Sequence, residues 1–77
     1  MEKIVVQVDK VWMGSVPVCD FCRNMPTSAF VDGATSQGPW ANMCWPSCYL
    51  KYGRGIGPGL GQKYEHRADG KWHKVEG

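Results

Sequence analysis

The sequence predicts a small α+β domain stapled by a metal ion, and three observations carry that prediction. The chain has 77 residues, room for one core and too little buried apolar surface to dispense with a staple. Its four cysteines fall in two close pairs, Cys19-Asp-Phe-Cys22 and Cys44-Trp-Pro-Ser-Cys48. Strand-like segments bounded by turn signals surround one short segment, after Pro46, that suits a helix. Residues 1–77 are expected to form a single domain.

Taken in chain order, residues 3–12 read as a strand. Ile4, Val6, Val8 and Trp12 fall on one face at period two, with Gln7 and Asp9 on the other. Gly14-Ser-Val-Pro17 ends it, and the first cysteine pair follows as a tight knuckle. Thr27–Val31 suits a short strand, Asp32-Gly33 is a turn signal, and a second strand is expected from about Ser36 through Trp40 to Met43. This hairpin carries the chain from one cysteine pair to the other. Pro46 fits the first turn of a helix running to about Tyr52, because its missing N–H is no loss there. Gly53 suits the helix C-cap. Cys44 is then expected just before the helix and Cys48 in its first turn, where the helix dipole favours a thiolate. After the glycine-alternating stretch Gly53–Gly61, Gln62–Arg67 and Lys71–Val75 flank Ala68-Asp-Gly70 and predict a C-terminal hairpin. The strand over residues 3–12 has no other obvious partner and is expected to pair with that hairpin. Knuckle, hairpin, second cysteine pair and short helix together suit a treble-clef zinc finger. A zinc ribbon, with both pairs on hairpin knuckles and no helix after Cys48, is the alternative.

The spacing assigns the cysteines to metal. Two close pairs, with 21 residues between Cys22 and Cys44, can bring four thiolates together as tetrahedral zinc requires. Competing readings are cross-paired disulfides, which need an oxidising compartment, and a redox pair at Cys19 and Cys22 with freely titrating thiols. The apolar run at the N-terminus is too short for a signal peptide, and no stretch approaches transmembrane length. The expected setting is therefore the cytoplasm, with reduced cysteines ligating Zn2+: Cys19, Cys22, Cys44 and Cys48. Four thiolates fill the tetrahedron and leave no place for an activated water, which argues against metal-centred hydrolysis or deamination. His66 and His73 lie far from the cysteine spacing and read as surface histidines.

The formal charge is +2 with neutral cysteines. Four thiolates and one zinc bring the loaded protein near zero, so overall basicity says little. The distribution says more. Lys51, Arg54, Lys63, Arg67, Lys71 and Lys74 outnumber Glu65, Asp69 and Glu76 after Cys48, while the part before it is slightly acidic. Aromatics are dense, and most must be core. Trp45, between two ligands, and Trp72, beside cations, are candidates for exposure. The glycine track lacks a following Gly-Lys-Ser/Thr and never satisfies G-x-G-x-x-G, so no nucleotide loop is predicted. A tight packed connection is preferred for it over a backbone clamp. No catalytic constellation stands out, and no small-molecule substrate is expected. Two classes of partner stay open. One is a nucleic acid held by Lys51, Arg54, Lys63, Arg67, Lys71 and Lys74, with Trp72 or Tyr64 stacking on bases. The other is a protein docked on exposed aromatics.

One further pattern cuts across these readings. Cys19-Asp-Phe-Cys22, Gly38-Pro-Trp-Ala-Asn-Met-Cys44, Cys48, Lys51-Tyr-Gly53 and Gly61-Gln-Lys63 together resemble a group of small zinc-finger proteins of tailed bacteriophages and their prophages. The resemblance covers the middle two-thirds of the chain. It departs at the second pair, where relatives of this kind carry C-x2-C and this chain carries C-x3-C. It implies a zinc finger of phage origin, placed in the host cytoplasm if phage-encoded, and leaves open whether the partner is nucleic acid or a host or phage protein. It implies no particular activity.

Overall fold

The computed structural model of the protein describes residues 10–77. They form a small α+β unit of four strands and one short helix: β1 (Ala29–Gly33), β2 (Ala41–Cys44), α1 (Ser47–Tyr52), β3 (Gly61–His66) and β4 (Trp72–Glu76). The strands make one antiparallel sheet in the order β2-β1-β3-β4. The two expected hairpins are therefore halves of a single sheet, joined by β1 against β3 with Phe30 opposite Tyr64 and Val31 opposite Lys63.

β1 is flanked on both sides and is the most buried strand; Phe30 and Val31 are 1% and 0% exposed. Burying such a side chain is worth about 1.5–3 kcal/mol. This central position explains a difference from the sequence reading. Asp32 and Gly33 do not turn; they stay in β1, opposite Asn42 and Ala41 on one side and Gln62 and Gly61 on the other. A Cβ on Gly33 would lie 2.7 Å from the Gly61 Cα, so glycine is needed here for close strand approach rather than for a turn. The chain reverses later. Thr35 is buried, donates its hydroxyl to the Pro39 carbonyl at 2.8 Å and accepts the Gln37 N–H at 3.2 Å. That local bonding delays the second strand from Ser36 to Ala41.

The helix follows β2 directly. Pro46 precedes it rather than opening it, and its carbonyl accepts the Leu50 N–H at 2.9 Å. Gly53 caps the other end, donating to the Tyr49 carbonyl at 2.8 Å. Its backbone is extended, not left-handed; glycine is required because a Cβ would run into the Tyr49 ring. The glycine track is a packed connection. Gly57 and Gly61 exchange backbone hydrogen bonds of 2.9 and 3.0 Å, and Gly53 bridges to Thr35.

Both sheet edges are covered. Beyond β4, Val11 pairs with His73, the Trp12 N–H reaches the Trp72 carbonyl at 2.9 Å, and the Lys74 N–H reaches the Lys10 carbonyl at 2.7 Å. Residues 10–12 of the expected first strand thus do pair with the C-terminal hairpin; residues 3–9 lie outside the described residues. Along β2, Asn42 accepts the Asp20 N–H at 2.9 Å and donates its own N–H to the Asp20 carboxylate at 2.7 Å. The knuckle thereby satisfies backbone groups that an edge strand would leave open.

Opposed residues of an antiparallel pair share a face, so the sheet divides its cores. On one face Phe30 stacks on Tyr64 at 5.2 Å, Trp12 meets both edge-on at 5.3 Å, and Trp72 lies 5.4 Å from Phe30. On the other, Val31 and Met43 pack with Cys19 and Cys48, and Phe21, Trp45, Tyr49, Tyr52 and Ile56 close around them.

Candidate metal centre

Three local structures deliver the four sulfurs. The knuckle begins at Cys19, whose N–H bonds to the Asn24 carbonyl and whose carbonyl accepts the Arg23 N–H, each at 2.9 Å. Arg23 takes a φ of 65°, which turns the chain back so that the Asn24 carbonyl reaches the Cys19 N–H. Cys44 ends β2, and its N–H points at the Cys19 Sγ at 3.4 Å. Cys48 is buried on the first turn of α1. Phe21 stacks on Tyr52 at 3.9 Å and ties the knuckle to the helix.

All four Sγ atoms lie within 4.8 Å of one another, and Cys22 and Cys44 approach to 3.4 Å. No disulfide joins them. A tetrahedral shell with Zn–S bonds of 2.3 Å has sulfur–sulfur edges of about 3.8 Å, so the set fits such an ion with small adjustments. The electrostatics point the same way. Burial opposes a charge on Cys19, but the backbone N–H groups of Cys22, Cys44 and Phe21 outweigh it and draw the thiol down to about 6. Burial and the neighbouring sulfurs of Cys22 and Cys19 push Cys44 up to about 12, and burial with the same neighbours raises Cys48. One sulfur ionises readily and its charge resists the rest; a divalent cation removes that conflict. The cluster is thus one that can hold a metal ion.

The expected cationic residues do not form one strip. Lys51 and Arg54 are exposed at and after the end of α1, whereas Arg67 and Lys71 are exposed at the β3–β4 turn. Lys74 is half-buried on β4. Lys63 is turned inward: its ammonium lies 3.8 Å from the centroid of the Trp45 ring, 3.6 Å from Glu65 and 3.9 Å from Glu76. It is held by the protein instead of facing solvent. Trp72 is half-buried, stacked on His66 at 4.8 Å. At the same turn Asp69 accepts the Lys71 N–H and lies 2.8 Å from His73 Nε2; these two bonds hold its carboxyl below the usual range.

Two surface features differ from the sequence expectation. Trp45 is half-buried, and Trp40, at 49% exposure, is the tryptophan that faces solvent. Leu50 on α1 is 73% exposed and Met25, beyond the knuckle, 55%. The helical spacing of Cys48, Tyr49 and Tyr52 would have shown that Leu50 points away from the core. Among the described residues no helix is long and apolar enough to cross a membrane. No family model, no curated protein and no solved structure matches the chain.

Proposed function

We propose that this chain is a non-catalytic binding domain built around one structural zinc ion, with Cys19, Cys22, Cys44 and Cys48 as ligands in a treble-clef-like arrangement of knuckle, hairpin and helix. The observation that carries the reading is the closed set of four sulfurs within 4.8 Å of one another. Four thiolates suit zinc over harder divalent ions and occupy every position of a tetrahedron. The ion then fixes the knuckle, β2 and α1 relative to one another, and activates no water. Ligands of this kind must stay reduced, which suits the cytoplasm, including that of a phage-infected host. Native mass spectrometry at neutral pH tests this directly. The expected result is one zinc per chain, released on acidification; a metal-free chain that keeps its fold would overturn it.

The binding partner in this reading is a nucleic acid. Supporting it is the β3–β4 turn, where the His66–Trp72 stack sits among Arg67, Lys71 and Lys74. Stacking with phosphate contact is the usual means of gripping single strands. Lys51 and Arg54 add a second cationic site, and Lys63 drops out because its charge is already engaged. Anisotropy titration of a fluorescent single-stranded oligonucleotide should show affinity falling steeply with salt, with the double reversal R67E/K71E abolishing it. Absence of binding at low salt would sink this half of the proposal.

A second reading rests on different residues. Leu50, Met25 and Trp40 are large, apolar and exposed, as protein-docking anchors are. It predicts a salt-tolerant partner lost on Leu50→Asp while zinc content is unchanged.

A further inference from the structure

The four sulfurs are chemically alike in the sequence and unlike in the fold. Cys19 and Cys48 are 2% and 7% exposed, Cys44 is half-buried, and Cys22 is exposed. Within a cluster whose sulfurs all lie within 4.8 Å of one another, Cys22 makes a short contact outside its own motif. The Cys22 and Cys44 sulfurs are 3.4 Å apart, whereas the Cys19 sulfur is engaged by the Cys44 N–H on the buried side.

We propose that this cluster is a peroxide-oxidisable site in which Cys22 reacts first and Cys44 resolves it, giving a Cys22–Cys44 disulfide rather than the within-motif Cys19–Cys22 bridge. Release of the metal with that step rests on the zinc reading above; the pairing does not.

The chemistry uses only the two sulfurs and the oxidant. The Cys22 thiolate attacks one oxygen of hydrogen peroxide, the O–O bond breaks, and hydroxide leaves and takes up a proton. The sulfur, oxidised by two electrons, is now a sulfenic acid. The Cys44 sulfur attacks that sulfur, giving up its proton (or, in a loaded site, its bond to the ion) as the S–S bond forms; the S–O bond breaks, and a second hydroxide is protonated. Counted as thiolates, the two sulfurs with one peroxide and two protons become one disulfide and two waters. A disulfide requires the sulfurs to close from 3.4 Å to about 2.05 Å.

The backbone is arranged for that closure. The knuckle carrying Cys22 is already bonded to the strand carrying Cys44, through the reciprocal Asp20–Asn42 hydrogen bonds of 2.9 and 2.7 Å. The new bond would reinforce this junction while withdrawing two of the four donors from a bound ion. Cys19 and Cys48 stay reduced beneath it, so a reductant and fresh zinc restore the starting state.

The test uses the full chain without substitutions. Its zinc content is first read by native mass spectrometry. It is then given one equivalent of hydrogen peroxide, blocked with iodoacetamide and mapped by peptide mass spectrometry, with freed zinc followed by a chromogenic chelator. The expected first and major bridge is Cys22–Cys44, formed in step with zinc release and reversed by dithiothreitol plus zinc. In a parallel alkylation time course, Cys22 should be labelled about tenfold or more ahead of Cys19 and Cys48. A major Cys19–Cys22 or Cys44–Cys48 bridge, over-oxidised Cys22 with no bridge, or no reaction with peroxide overturns the proposal. A chain that carries no zinc at the outset would refute the structural-zinc reading alone, because the same map decides the pairing on metal-free protein.

Discussion

On one face of the sheet Phe30, Tyr64, Trp12 and Trp72 interlock ring on ring; on the other, Val31 and Met43 meet Cys19 and Cys48 with half-buried rings around them. The aromatic face needs nothing from outside the chain, because large rings remove much apolar area from water at little entropic cost. The sulfur face is built from a knuckle, a four-residue strand and a six-residue helix, none of which is long enough to persist alone. Its stability comes from packing around Val31 and Met43 and, in the zinc reading, from the ion that the sulfurs could hold. In the zinc reading a domain of this size divides the labour: one face packs on its own and the other packs around a clamp.

The strongest way to break that contrast is to remove the clamp. Apparent binding free energies of structural zinc are about 10–16 kcal/mol at neutral pH, so chelation should be the largest perturbation available. Hydrogen exchange followed by mass spectrometry should show the knuckle and Ser47–Tyr52 losing protection, with β3 and β4 retaining more of theirs. Uniform loss across all strands would mean that the two faces fold as one cooperative unit.

Next in size is an attack on the packed face. Phe30 touches Trp12, Tyr64 and Trp72 and is 1% exposed. Phe30→Ala should cost about 3–5 kcal/mol, read by urea unfolding at saturating zinc. The contrast makes a further demand on this variant: although Phe30 lies opposite Cys44 in register, it is outside the cluster around Cys19 and Cys48, so the variant's stoichiometry at the sulfurs should remain that of the parent. Loss of metal along with stability would join the two faces.

The two faces also differ in how far they could be read from sequence. Cysteine spacing anticipated that the four sulfurs gather in one cluster, and Pro46 with Gly53 bracketed the helix to within one residue, because paired-cysteine knuckles and helix ends obey local rules. The C-terminal hairpin was equally legible from Asp69-Gly70. What escaped was the pairing of β1 with β3, since strand partners distant in sequence are chosen by burial and not by any local signal. The misread Asp32-Gly33 has the same origin: the dipeptide suits a turn, but the neighbouring strands hold it extended. Lys63 escaped too. A lysine on a strand looks solvent-facing until its register opposite buried Val31 is known.

That lysine links the faces and provides a smaller, sharper probe. Its ammonium over the Trp45 ring, between Glu65 and Glu76, ties the residue after Cys44 to the C-terminal hairpin. Lys63→Met keeps the stem and removes the charge. The carboxylates are well exposed, so the ion pairs themselves contribute little, and the lost cation–π contact sets a cost of about 1 kcal/mol. Zinc transfer to a competing chelator should be faster in the variant. Unchanged transfer with reduced stability would make Lys63 a plain packing residue of the hairpin.

The smallest effect has the opposite sign. Burial, and then the Asp20 carboxylate, raise the Asp32 carboxyl above its ordinary 3.8. A raised acid favours the fold in its protonated form: that contribution is fully present below 3.8 and is lost as pH rises through the folded value. At neutral pH the ionised Asp32 is therefore a net cost, set opposite Asn42 where Asp20 already accepts the backbone N–H. Asp32→Asn should raise the melting temperature at pH 7, by less than about 1 kcal/mol in free energy. The gain should be level above neutrality and shrink as pH falls toward 3.8. Acid also protonates the thiolates, but equally in both proteins, so the difference between them isolates Asp32. A loss of stability at pH 7 would show that the Asp32 charge supports the junction of knuckle and sheet, and the sulfur face would then depend on a carboxylate as well as on its sulfur cluster.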